Sequence, residues 1–138
     1  MNIKEKINQL PWSLILSLAV VALTRPIVKV LGDVFDYDVS TLATIIITIA
    51  IALVWIGAVV RLKVKEPVII LAVSGAAYAV LSITMAVAIQ LLAPDLGDDE
   101  AKISVLLTAG LVATTIFNFI YGAFLGAIAS LIQKVVNK

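Results

Sequence analysis

Residues 41–60 read TLATIIITIAIALVWIGAVV and contain no charged side chain. A helix needs roughly 20 mainly apolar residues to cross a hydrocarbon core of about 30 Å, so this segment has the length and composition of one transmembrane helix. Its β-branched residues would favour a strand in water. In lipid, however, only helices and closed barrels satisfy their own backbone hydrogen bonds, and barrel strands alternate polar and apolar residues. This segment does not alternate, so we predict a helix.

Three further stretches have the same character. Residues 68–93 and 103–132 carry no charge, whereas residues 11–31 carry Arg25 and Lys29 toward their far end. We therefore predict an all-α integral membrane protein, one domain over residues 1–138, with four transmembrane helices at about 11–31, 41–60, 68–93 and 103–132. The connecting segments are short, so consecutive helices are expected to pack as two antiparallel hairpins.

The composition of the chain supports a lipid environment. Hydrophobic residues make up 62% and charged residues 14% of the 138 residues, and the mean hydropathy is +1.16. A soluble domain has about 25% charged residues. This chain has too few polar side chains to cover a water-facing surface, so membrane lipids are its expected surroundings.

The distribution of basic residues predicts the orientation in the membrane. Seven of the ten basic residues lie in the N-terminal segment, the second connecting loop and the C-terminal segment: Lys4, Lys6, Arg61, Lys63, Lys65, Lys134 and Lys138. Seven acids lie in the other two loops: Asp33, Asp36, Asp38, Asp95, Asp98, Asp99 and Glu100. Because Lys and Arg accumulate in cytoplasmic loops, we predict a cell-membrane protein with both termini in the cytoplasm.

The residues missing from the sequence exclude several function classes. There is no Cys and no His, and no Asp or Glu lies within a predicted span. Thiolate and imidazole catalysis are thus excluded, and proton-coupled pumps usually need a titratable group at this depth. We predict no enzyme activity, no catalytic residue, no metal site and no cofactor. A net charge of +1 also argues against nucleic acid as a partner.

Arg25, followed by Pro26, is the most informative charged residue. It lies about 21 Å along a helix that starts at Pro11, which places it in the outer third of the bilayer. One interpretation is a side chain that reaches the outer surface or pairs with a loop acid. The other is a cation that lines a pocket and binds an anionic solute or lipid head group.

The fourth predicted helix carries a stripe of polar and small residues. Thr115, Asn118 and Tyr121 are, with Arg25, the candidate contacts to a solute or lipid. Asn118 is the strongest hydrogen-bonding group in mid-helix, and the alternative is that it links two helices.

Small residues on two of the helices predict close packing. Gly122 and Gly126 form a GxxxG pair that Ser130 extends, and Gly75 lies on a similar surface of the third helix. Small residues at four-residue spacing let backbones approach closely in lipid. Packing within the chain, contact between copies and the lining of a pore all remain open for this stripe.

Two functions fit these observations. The first is a small non-enzymatic membrane protein that self-associates or serves as an accessory subunit, so that a homo-oligomer or a larger membrane complex is expected. The alternative is a channel or facilitative transporter for a small solute, with an anion as one option. Four helices barely enclose a path, so this function also requires an oligomer.

Overall fold

The structure is a computed structural model that describes residues 4–5, 11–93 and 106–136. Of these, 88% are helical and none lies in a strand. The helices are α1 (Trp12–Ala22), α2 (Thr24–Val34), α3 (Thr41–Arg61), α4 (Pro67–Leu92) and α5 (Leu111–Val136), and a π-helical turn at Leu106–Gly110 precedes α5.

These helices form four spans that are long and apolar enough to cross a membrane: Trp12–Val34, Thr41–Arg61, Pro67–Leu92 and Thr108–Val136. The chain is therefore a multi-pass membrane protein. Large apolar side chains such as Leu53, Phe117 and Phe124 are exposed on the outside of the bundle, where acyl chains surround them in a bilayer.

The first span is longer than the sequence predicts, because it continues past residue 31 to Val34. Lys29 and Asp33 are exposed, so their charges do not have to be buried for the helix to continue. The helix ends where Asp36 adopts a positive φ of 53° and the Tyr37 N–H donates to the Gly32 carbonyl at 2.7 Å. This is the usual left-handed ending of a helix.

A break divides the first span at Leu23, between α1 and α2. The Leu23 N–H is shared between the carbonyls of Ala19 and Val20, at 3.2 and 3.1 Å. Pro26 has no N–H to donate to the Ala22 carbonyl, which therefore lacks its helical partner. The interruption lies two residues before Arg25.

The closest packing in the bundle joins α4 and α5. A Cβ added to Gly75 would meet the carbonyl of Asn118, and one added to Gly122 would meet the carbonyl of Leu71. At Gly126 it would lie 2.7 Å from the Pro67 carbonyl oxygen. Residue numbers fall on α4 as they rise on α5, so these helices are antiparallel, and only glycine leaves room for their backbones.

The other two spans pack against this pair. α1 lies mainly against α4, and α3 lies mainly against α5. Trp55 of α3 is 2% exposed, and its indole Nε1–H donates to the carbonyl of Leu18 in α1 at 2.9 Å. The buried core combines residues of all four spans: Ile15, Leu18, Ala19, Ala22, Trp55, Val59, Ile70, Leu71, Tyr78, Leu125 and Ala129.

The loop that follows α3 is held by both backbone and side-chain hydrogen bonds. Lys63 has a φ of 51° and the Val64 N–H donates to the Val59 carbonyl at 3.2 Å, as in a Schellman motif. The Gln133 side-chain N–H₂ group donates to the carbonyls of Val59 and Val64, at 2.9 and 3.1 Å. The end of α5 is thereby linked to the end of α3.

Candidate functional site

A small cleft opens at the point where the four spans meet. Its volume is about 20 Å³, which holds about one water molecule. We call it the central cleft, and it is lined by Ala22, Arg25, Thr48, Ile51, Trp55, Tyr78, Asn118 and Tyr121. Three of the four residues predicted as solute or lipid contacts, namely Arg25, Asn118 and Tyr121, thus lie around one cavity.

Arg25 is the fourteenth residue of the 23-residue first span. The span continues to Val34, so more helix follows Arg25 than the sequence predicts. The interruption at Leu23 and Pro26 lies next to Arg25 in the chain.

No counter-ion balances Arg25 within the described residues. The loop acids Asp33, Asp36 and Asp38 are described and exposed, and none of them pairs with its guanidinium. The side chain is exposed to the surroundings of the bundle and also borders the central cleft. A guanidinium offers five N–H donors and stays charged at any physiological pH. The cleft is therefore electropositive.

Tyr78 supplies a second free donor. Its side chain is 8% exposed, and no described residue forms a hydrogen bond with it. Every fully enclosed side-chain nitrogen or oxygen among the described residues has a partner. The Tyr78 hydroxyl is consequently not fully enclosed in the protein, and Tyr78 is one of the residues that line the central cleft.

Three other polar residues of the cleft already form hydrogen bonds, whereas Tyr121 forms none with the described residues. Asn118 Nδ2 donates to the Thr114 carbonyl at 2.8 Å, and Thr48 Oγ1 donates to the Thr44 carbonyl at 2.8 Å. The Trp55 N–H is used by Leu18. Asn118 retains its second N–H and its carbonyl oxygen, so it still has a donor to offer. Thr48 and Trp55 therefore form part of the wall of the cleft and offer no free donor.

The structure separates the fourth predicted contact from the others. Thr115 is half-buried on α5 but does not line the central cleft. The residues predicted for helix packing do not line the central cleft either. Gly75, Gly122 and Gly126 lie between α4 and α5, and Ser130 is half-buried one turn beyond Gly126.

Sequence reasoning did not select Tyr78, Trp55 or Thr48 as site residues. A signal existed, because each is a polar or amphipathic residue near the middle of an apolar span. Position along a span does not show which way a side chain points across the bundle, however. Only the packing of the four spans brings these residues together.

The donor set limits the chemistry of the cleft. Its polar groups include several hydrogen-bond donors next to one fixed positive charge, and no carboxylate lies in any of the four described spans except Asp33 near the end of α2. No group of three or more His, Cys, Asp or Glu side chains that suits a metal ion occurs in the described ranges. Such a set suits an anion.

Comparison with known proteins provides no relative: no family model matches the chain, and no curated protein and no solved structure matches it significantly.

Proposed function

We propose that this protein is a non-enzymatic channel or facilitative transporter that carries a small anionic solute through the central cleft. It lies in the cell membrane as two antiparallel helical hairpins, with both termini in the cytoplasm. Copies of the chain assemble into an oligomer, because four helices leave only a narrow path.

The observation that carries this proposal is the position of Arg25. A lone arginine near mid-membrane costs about 2.5–3.5 kcal/mol on insertion scales. Such residues usually face a hydrated cavity or a partner and mark the path of a substrate. Arg25 borders a cavity together with Tyr78, Asn118 and Tyr121.

The packing of α4 against α5 within one chain weakens the case for self-association through the GxxxG pair. Gly122 and Gly126 approach the backbone of α4 in the same chain. The GxxxG pair is thus occupied within the monomer, and it does not support contact between copies. Any contact between copies has to use other surfaces.

An accessory subunit is the second candidate function, and one observation favours it. A carboxylate on a transmembrane helix of another protein would also neutralise Arg25, which has no counter-ion among the described residues. In that case Arg25 would hold the complex together and would not bind a solute.

Flux measurements on purified protein in liposomes separate the two functions. We expect anion flux, reduced about tenfold or more in Arg25→Ala, since a charge-assisted hydrogen bond contributes about 1.5–3 kcal/mol. Arg61→Ala is the matched control, because Arg61 is an exposed arginine at the end of α3. Its flux should equal that of the wild type.

Two results would contradict the proposal. One is the absence of flux for every anion tested. The other is equal flux in the wild type and in Arg25→Ala. Native mass spectrometry of protein extracted in mild detergent supplies the complementary test. A second protein that remains bound to the wild type but is lost in Arg25→Ala would favour the accessory subunit.

A further inference from the structure

We propose that the solute of the central cleft is a small monovalent anion of about halide size, which binds after losing part of its hydration water. This inference rests on the proposed function, because it specifies the solute of the same cleft. Three independent properties of the cleft support it: its size, its charge and its donors.

The size of the cleft admits one small particle. Its volume of about 20 Å³ is close to the minimum that holds a single water molecule. A larger organic anion would extend beyond this volume through the open side of the cleft. Trp55 and Ile51, which form part of the wall, are packed into the buried core or against it.

The charge of the cleft selects a single negative charge. Among the described residues that line the cleft, Arg25 is the only cation and none is acidic. One monovalent anion neutralises the guanidinium, so the pair enters the low-dielectric interior without net charge. A divalent anion would leave one uncompensated charge, whose burial is costly.

The donors of the cleft replace water around the anion. Arg25 supplies N–H groups, and Tyr78 supplies a hydroxyl that no described residue uses. The free N–H of Asn118 adds to these. The apolar groups of Ala22 and Ile51 offer no hydrogen bond, so the ion must leave part of its hydration shell behind.

The depth of the cleft argues against a lipid phosphate as the source of the anion. Arg25, Tyr78, Asn118 and Tyr121 all lie in the middle third of their spans. Lipid head groups lie outside a hydrocarbon core of about 30 Å. A free anion from solution therefore matches the site better than a head group does.

The test compares anions and two tyrosine variants. Chloride, bromide and nitrate are compared with acetate, phosphate and sulfate, as sodium salts over a gluconate background. Flux into liposomes and the thermal stability of detergent-solubilised protein are both measured. We expect flux and stabilisation with the first group only. Tyr78→Phe should weaken the apparent affinity about tenfold.

Tyr37→Phe is the matched control, because Tyr37 is an exposed tyrosine in the loop before α3. Tyr78→Phe should fold as well as the wild type, since the hydroxyl that it removes has no partner to lose. A tyrosine with only a structural role would not alter anion affinity while leaving stability in gluconate unchanged.

The outcomes distinguish this inference from the proposed function. Equal flux of acetate, phosphate or sulfate overturns the halide-sized solute but leaves anion transport standing. No flux and no stabilisation with any anion overturns both. If Tyr78→Phe fails to fold, the anion series on the wild-type protein still decides the size and charge of the solute.

Discussion

Lys63 shows how one residue sets the end of a helix. It follows the last turn of α3 with a φ of 51°, in the left-handed region where a Cβ crowds the following carbonyl. The surrounding hydrogen bonds hold it there: Lys63 N–H to the Val60 carbonyl, Val64 N–H to the Val59 carbonyl, and the Gln133 amide to Val59 and Val64. A lysine in this loop would favour a cytoplasmic location for the loop, whereas glycine has no such preference.

Lys63→Gly is therefore expected to stabilise the folded protein. The left-handed conformation costs a non-glycine residue roughly 1–2 kcal/mol, and the greater freedom of glycine in the unfolded chain offsets about 0.5–1 kcal/mol of that. The free energy of unfolding, measured by SDS titration in mixed micelles, should rise by about 0.5–1 kcal/mol.

Lys65→Gly is the control for this substitution. It removes the same charge from the same loop, but Lys65 is not among the described residues with positive φ. Lys65→Gly should therefore not raise the free energy of unfolding. Equal changes in the two variants would show that charge, and not backbone strain, determines the stability of this loop.

At the scale of elements, α4 and α5 form the most closely packed pair. Three glycines lie where the backbones meet, and the added Cβ of Gly122 would come within 3.0 Å of the Ala72 Cα as well as meeting the Leu71 carbonyl. The hydrophobic effect does not drive helices together in lipid. Close van der Waals contact therefore provides much of the stability of the α4–α5 pair.

Gly122→Ala should separate these helices and destabilise the protein by about 1–3 kcal/mol, the usual cost of overpacking. Gly57→Ala is the matched control, because nothing lies within 4 Å of the Cβ that it adds. That variant should be neutral or more stable by up to about 1 kcal/mol, since alanine favours helix more than glycine does. Thermal unfolding in detergent measures both.

If Gly122→Ala unfolded at the wild-type temperature, the close approach of α4 and α5 would not exist in the membrane. Gly75→Ala provides an independent check on the same interface, because its Cβ would meet the carbonyl of Asn118. The two variants should be destabilised to a similar extent.

At the scale of the whole molecule, residues of several helices surround a cleft that Arg25 borders. Arg25 comes from α2, Thr48 from α3, Tyr78 from α4 and Tyr121 from α5. α1 supports this arrangement through the Trp55 hydrogen bond to Leu18. The orientation of the bundle in the membrane then decides from which side the cleft is reached.

The chain offers a direct test of that orientation because it contains no cysteine. Single cysteines at Asp36 and at Lys63, both exposed positions in loops, should differ in reactivity toward a membrane-impermeant maleimide. In intact cells we expect labelling at residue 36 only, since the basic loop should lie in the cytoplasm. Labelling of residue 63 in intact cells would reverse the orientation.

Local sequence was sufficient for the fold class. Stretches such as 41–60 reach the length of roughly 20 residues needed to cross a bilayer, and their composition and lack of alternation favour a helix in lipid. The nature of the cleft's main charge was also evident, because an arginine in an apolar run is conspicuous in any sequence. The length of the first span was underestimated, because the helix predicted to end at residue 31 continues to Val34.

Only the tertiary structure decided which polar residues meet. Periodicity assigns a residue to a face of its own helix, but it does not say which neighbour that face meets. α3 packs mainly on α5 and α1 on α4, so Tyr78 joins Arg25 at the cleft whereas Thr115 does not. The hydrophobicity of a segment determines whether it enters the membrane as a helix, because the free energy of its transfer into lipid depends mainly on its composition. The site depends on the rotation of each helix, which close contacts such as Gly122 against Leu71 determine.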